Sequence, residues 1–347
     1  MHSVLTSILF LMLTVTAVSA EELVIFNWQE YLSSQVIEQW EKETGWKIHQ
    51  IFYDTDEMRD EVLASEVGKQ FDLVVIDSIS AQLFGKNNKL LSITRSEVSN
   101  LVNIQKRWIQ SCGNFGVPYF WGTVGIVYRA DKVETKPVSW RALIEPEAEL
   151  IGHIGMHEDF TDTLIPALKL SGYSIYSENT DHLKAAYQLL RNQLTAVLTY
   201  DYVISYISAK PDDDALYMAI GYSGDQHTLN DVTGKDSWRY VVPEEGTSLW
   251  IDCFSVLSHS EKKKQALAFI NFLNNAENAA KNAEDIGYST TNNAAIALLP
   301  NEVKNDKSIY PEQSVLDRSE PYRIISDKNM SQRNRIMRAL SKEHETK

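Results

Sequence analysis

The feature that most constrains this chain is the alternation of short apolar runs and amphipathic stretches between residues 23 and 76. Leu23-Val24-Ile25-Phe26 reads as a strand ending at Asn27-Trp28. Ser33 or Ser34 precedes Val36, Ile37 and Trp40, whose spacing is helical, and Gly45 stops that run. Residues 47–52 read as a second strand and 57–67 as a helix ended by Gly68. Phe71-Asp72-Leu73-Val74-Val75-Ile76 reads as a third strand, apolar enough to be buried on both faces. Strand–helix–strand–helix–strand units of this length imply a parallel sheet covered by helices, an α/β architecture.

The pattern changes at Val117-Pro118-Tyr119-Phe120-Trp121-Gly122, and Gly125-Ile126-Val127-Tyr128 is a further strand-like run. Alternation resumes after Trp140, with helices expected over 163–170, 181–194, 262–273 and 277–284. Strands are expected over 192–200, 215–220, 238–242 and 248–256, and a helical run around 333–340 in the polar tail. A chain of 347 residues has room for two domains. Periodicity alone does not show where it divides.

Residues 5–18 form an apolar run followed by Val18-Ser19-Ala20, the pattern of a secretory signal peptide over residues 1–20 cut after Ala20. His2 precedes the run without Lys or Arg, and no Cys follows it, so a lipid anchor is not expected. The mature chain is expected to be exported to the periplasm, soluble and monomeric. A net charge of −14 argues against nucleic-acid binding and favours long-range attraction of cations. The eight histidines show no metal-ligand spacing, and no metal or cofactor is implied. Of the two cysteines, Cys253 lies in the apolar run Trp250-Ile251-Asp252-Cys253-Phe254 and reads as a small buried hydrophobe. Export permits a disulfide to Cys112, which is the lesser expectation.

Three acids stand beside aromatics at element ends, in Trp28-Gln29-Glu30-Tyr31, Tyr222-Ser223-Gly224-Asp225 and Trp250-Ile251-Asp252. Loops at the carboxyl ends of parallel strands are where α/β sheets bind ligands. A linear polyamine needs such a site: separated carboxylates for its ammonium groups, and rings along its methylenes that add about 0.5–2 kcal/mol each by cation–π attraction.

The chain resembles the periplasmic spermidine/putrescine-binding proteins of ABC transporters and the related norspermidine sensors. The resemblance is carried in order by Phe26-Asn27-Trp28-Gln29-Glu30-Tyr31, Phe71-Asp72-Leu73-Val74-Val75, Val117-Pro118-Tyr119-Phe120-Trp121-Gly122 and Ala219-Ile220-Gly221-Tyr222-Ser223-Gly224-Asp225. Leu249-Trp250-Ile251-Asp252, Ala268-Phe269-Ile270-Asn271-Phe272-Leu273 and Ile286-Gly287-Tyr288-Ser289-Thr290 extend it. It implies a two-lobed periplasmic binding protein fold of type II with a ligand cleft between the lobes. One lobe would hold residues 21–127 plus 252–293, the other 128–251 plus 294–347. Ligand contacts carried over are Trp28, Tyr31, Asp159, Asp162, Tyr222, Asp225, Trp250, Asp252 and Tyr288, with Tyr222 standing where the family usually has Trp. Gln29, Ser78 and Tyr322 are secondary candidates. Asp77 replaces a usual Ser, so it is read equally as a ligand contact, a helix N-cap or a surface acid. Ile79 stands where spermidine transporters have Tyr. The resemblance implies a polyamine of the spermidine, norspermidine or putrescine class, presented to an inner-membrane ABC permease or a membrane signalling receptor. The rival reading is an enzyme on the same clam fold with Cys112 as nucleophile.

Overall fold

The computed structural model describes residues 21–29, 31–53 and 56–346. The expected signal peptide lies outside them, as does Glu30. Among the described residues, no helix is long and apolar enough to cross a membrane.

The opening alternation folds as β1 (Glu22–Asn27), α1 (Ser34–Thr44), β2 (Lys47–Phe52), α2 (Asp56–Ala64), β3 (Leu73–Asp77) and α3 (Ser78–Lys86). Ser33 caps α1 by accepting from the Val36 N–H, and Gly45 ends it in the left-handed region, where a side chain would be strained. β1 pairs in parallel with both β2 and β3, as the buried alternation requires.

The later strands are β4 (Val117–Arg129), β5 (Ile154–Gly155), β6 (Val197–Thr199), β7 (Met218–Tyr222), β8 (Trp238–Val241), β9 (Ser248–Val256), β10 (Ser289–Thr290) and β11 (Glu320–Pro321). Their order is β2-β1-β3-β9-β4-β7-β5-β6, with β8 and β10 also on β4 and β11 on β9. β4 is one buried thirteen-residue strand rather than two pieces. Its first half, through Thr123, pairs with β9, and from Val124 onward it pairs with β7 and β8. A Cβ at Gly122 would lie 2.2 Å from the Trp250 ring, so a glycine is needed there for the two strands to pass.

Two large cores flank this crossing. One gathers Leu23, Val36, Trp40, Leu73, Phe120, Phe254 and Phe269. The other gathers Ile126, Trp140, Leu168, Leu190, Ile220 and Leu340. Ala295 and Leu299, which the resemblance assigns to the second lobe, are buried in the first core.

The strand expected over 192–200 begins only at Val197. The helix Thr180–Gln193 and a single turn Leu194–Ala196 take up the preceding residues, whose apolar run fits either period. The strand expected from 215 starts at Met218, and the terminal helix is longer, Asp327–Glu345, capped by Ser326. Cys112 and Cys253 form a disulfide, against the expectation of a free buried thiol. The partners are 141 residues apart, a spacing that carries no pairing signal.

Candidate functional site

Asp252, on β9, lies directly opposite Asp77, the last residue of β3, in the antiparallel ladder. Opposed residues share a face of the sheet, so both carboxylates leave it on the same side. The Tyr31 hydroxyl donates to Asp252 Oδ2 at 2.6 Å. Tyr31 is wedged among rings, with centroids 5.2 Å from Phe120 and 5.3 Å from Tyr288. Trp250 meets Tyr288 edge-on at 5.8 Å, and its indole Nε1 is buried without a protein acceptor. Trp28 packs on Tyr53 at 4.3 Å, whereas Gln29 is exposed.

Asp77 is committed to two structural tasks. Its Oδ1 accepts from the N–H groups of Ile79 and Ser80, capping α3, and its Oδ2 accepts from Arg59 at 3.1 Å. Ser78 is buried in the first turn of the same helix.

The other side of the cleft is built from the second core. Asp159 Oδ1 accepts from the N–H groups of Thr161 and Asp162, turning the chain so that Asp162 points inward. Asp162, 2 % exposed, receives the hydroxyls of Tyr222 at 2.6 Å and Tyr322 at 2.8 Å. Asp225 starts the helix Asp225–Thr233 and accepts from the Tyr202 hydroxyl and the Tyr222 N–H, each at 2.7 Å. His157 accepts the Asp159 N–H on Nδ1, and burial lowers its pKa, so its ring faces Tyr202 and Tyr222 as neutral imidazole.

The two sides meet where Tyr288 crosses to Gly224. Gly224 has φ +109°, and a Cβ there would lie 3.0 Å from Tyr288 Cε1, so both backbone and contact call for glycine.

Burial pushes the carboxyls of Asp162, Asp225 and Asp252 up to about 7 each. Desolvation is the largest cause in all three; Asp159 adds to it at Asp162, and Asp77 and Asp56 add to it at Asp252. Their hydrogen-bond donors are neutral tyrosines and one backbone amide. None of the three forms an ion pair with Lys or Arg among the described residues. Three buried carboxylates with neutral donors and ring walls are suited to a guest that brings its own positive charges.

The geometry thus groups Tyr31, Trp250, Asp252 and Tyr288 on one side and Asp159, Asp162, Tyr222, Asp225 and Tyr322 on the other. Sequence reasoning missed Tyr202, His157, Tyr53 and Arg59. Tyr202 lies just past the carboxyl end of β6, a position where a search of strand ends finds it; Arg59 is a lone cation in the acidic run Asp56-Glu57-Met58-Arg59-Asp60-Glu61.

A family model described as bacterial extracellular solute-binding protein matches residues 35–311. The chain belongs to that family. This solute-binding protein is 37% identical to the norspermidine sensor of Vibrio cholerae, over 95% of its own length and 91% of the relative's. It is 30% identical to the putrescine-binding periplasmic protein SpuD of Pseudomonas aeruginosa, over 84% of each chain. Among solved structures, the spermidine/putrescine ABC transporter substrate-binding protein PotD of Streptococcus pneumoniae superposes with a TM-score of 0.83 at 26% identity, covering 93% of this solute-binding protein and 99% of PotD. The two-lobed α/β fold is therefore that of PotD. The reading of Cys112 as an enzyme's nucleophile is not supported: Cys112 is tied to Cys253, and a disulfide sulfur is not a thiolate nucleophile.

Proposed function

We propose that this chain is a periplasmic polyamine-binding protein whose two lobes close on a linear polyamine, with Val124 and Ile126 belonging to the second lobe and Ala295 and Leu299 to the first, as their cores suggest. The observation that carries this reading is the set of three buried carboxylates, from both sides of the cleft, held by tyrosine hydroxyls and a backbone amide. A guest whose ammoniums reach Asp162, Asp225 and Asp252 together satisfies acids that are otherwise costly to ionise. An amine of the wrong spacing leaves a buried acid unpaired, at about 1–3 kcal/mol. Selectivity therefore follows nitrogen spacing, while Trp28, Tyr31, Trp250 and Tyr288 cover the methylenes.

Ligand contacts from both lobes favour the closed form over the open one. The closed form is then presented to a membrane partner, an ABC permease or a signalling receptor. The 37% relative is a sensor, which favours signalling. Export through residues 1–20 belongs to the same reading, supported by relatives named as periplasmic.

The test is calorimetry with putrescine, norspermidine and spermidine on the wild-type chain and on Asp252→Asn. The substitution should weaken the best amine more than tenfold, about 1.4 kcal/mol or more. Equal affinity in the variant, or heatless mixing of the wild type with all three, overturns the reading.

A further inference from the structure

Arg59 is fully buried, an unusual place for a guanidinium in a cleft that otherwise concentrates negative charge. It reaches from α2 to the end of β3. Nη2 donates to Asp77 Oδ2 at 3.1 Å and to Ser80 Oγ at 3.0 Å, Nε donates to Asp60, and Nη1 donates to Asp56. Its flat group also lies over the Tyr53 ring at 5.7 Å, and Tyr53 in turn carries Trp28. The cation is thus held in one orientation, and a guanidinium does not lose its proton in a protein.

What it holds is the near neighbour of the cleft acid. Asp77 and Asp252 are cross-strand partners, which puts their Cβ atoms roughly 5 Å apart. Two ionised carboxylates so close repel each other. Arg59 neutralises one of them and leaves Asp252 as the acid open to a guest.

We propose that the buried Arg59–Asp77 ion pair sets the length of amine the cleft accepts, because the guanidinium occupies the position that one further ammonium of a longer guest would take. The inference rests on the polyamine reading above and deepens it. An amine ending at Asp252 fits. One that continues past Asp252 toward Trp28 and Tyr53 finds Asp77 already paired and the guanidinium in the place its next ammonium needs.

The test is calorimetric titration of the wild type, Arg59→Gln, Arg59→Gln/Asp77→Asn and Asp77→Asn with spermidine, a triamine, and spermine, a tetramine. The wild type should prefer spermidine. Arg59→Gln uncovers Asp77 and should move the spermine-to-spermidine affinity ratio at least tenfold toward spermine. The double variant removes the uncovered acid and should lose that shift. Asn still caps α3, so Asp77→Asn keeps the helix start and leaves Arg59 held by Asp56, Asp60 and Ser80 while removing one negative charge beside Asp252; both amines should weaken together, about tenfold. This variant carries the test if Arg59→Gln does not fold. An unchanged ratio in Arg59→Gln, a shift that persists in the double variant, or full affinity in Asp77→Asn overturns the role of the ion pair while leaving the polyamine reading in place. Failure of the wild type to bind either amine overturns the role of the ion pair, and the polyamine reading falls with it only if putrescine and norspermidine are refused as well.

Discussion

On the first-lobe side of the cleft, Asp252 stands beside an acid already matched by Arg59, on a strand tied down by the Cys112–Cys253 bridge. On the second-lobe side, Asp162 and Asp225 are held by tyrosine hydroxyls and one amide, and no disulfide anchors them among the described residues. One side carries its own counter-charge and covalent support; the other relies on neutral dipoles. The contrast separates acids that hold the fold from acids free to meet a guest. Asp77 and Asp252 face each other in one ladder, yet only Asp77 has a buried cation bound to it.

The largest test of this contrast is the bridge. Reducing it, or replacing both cysteines with alanine, should cost about 2–5 kcal/mol of stability, read from denaturant unfolding. Loss confined to the first lobe in hydrogen exchange sharpens the contrast, whereas equal loss in both lobes breaks it.

Next comes pH. A carboxyl raised to about 7 in the folded chain, against about 4 unfolded, binds more protons when folded between those values. The ligand-free protein should therefore lose stability as pH rises from about 4 through about 7. A cationic amine selects the ionised acids, so its affinity should fall below pH 7, by up to about tenfold per pH unit for each acid that must ionise. Calorimetry in buffers of different ionisation enthalpy should register proton release on binding at pH 6. Two of the three acids lie on the second-lobe side, so Asp162→Asn/Asp225→Asn should flatten this slope more than Asp252→Asn. Equal flattening removes the distinction between the sides.

The smallest effect is expected from Tyr322→Phe, which takes away one of two hydroxyls on Asp162. It should weaken the best amine about fivefold, close to 1 kcal/mol, by titration. A loss as large as that of Asp162→Asn would mean that the hydroxyl, not the carboxylate, carries the contact.

Local patterning made much of this molecule readable. β1 and β3 follow from apolar runs whose length leaves few alternatives, and Asp252 stands out because Trp250 is two residues before it. What escaped is set by pairing between distant segments. Asp77 and Asp252 are 175 positions apart, and only the register of β3 on β9 makes them neighbours. The role of Asp77 stayed divided until Arg59 was seen on it. The sequence shows only 125–128 as strand-like, whereas β4 runs unbroken through Gly122 and Gly125, each of which admits a ring from a neighbouring strand. Tyr322 comes from the far tail, and its reach to Asp162 depends on β11 lying along β9.

The passage of β4 from one sheet into the other has a mechanical consequence. A single ribbon threads both jaws, hydrogen-bonded on either side of Thr123 and Val124. Sliding one half over the other would tear that ladder, so a swing of the jaws has to twist β4 at this junction together with β9, which pairs with it through Thr123. Gly122, at that junction, lies against the indole of Trp250, so twisting the ribbon there would also shift that wall of the cleft.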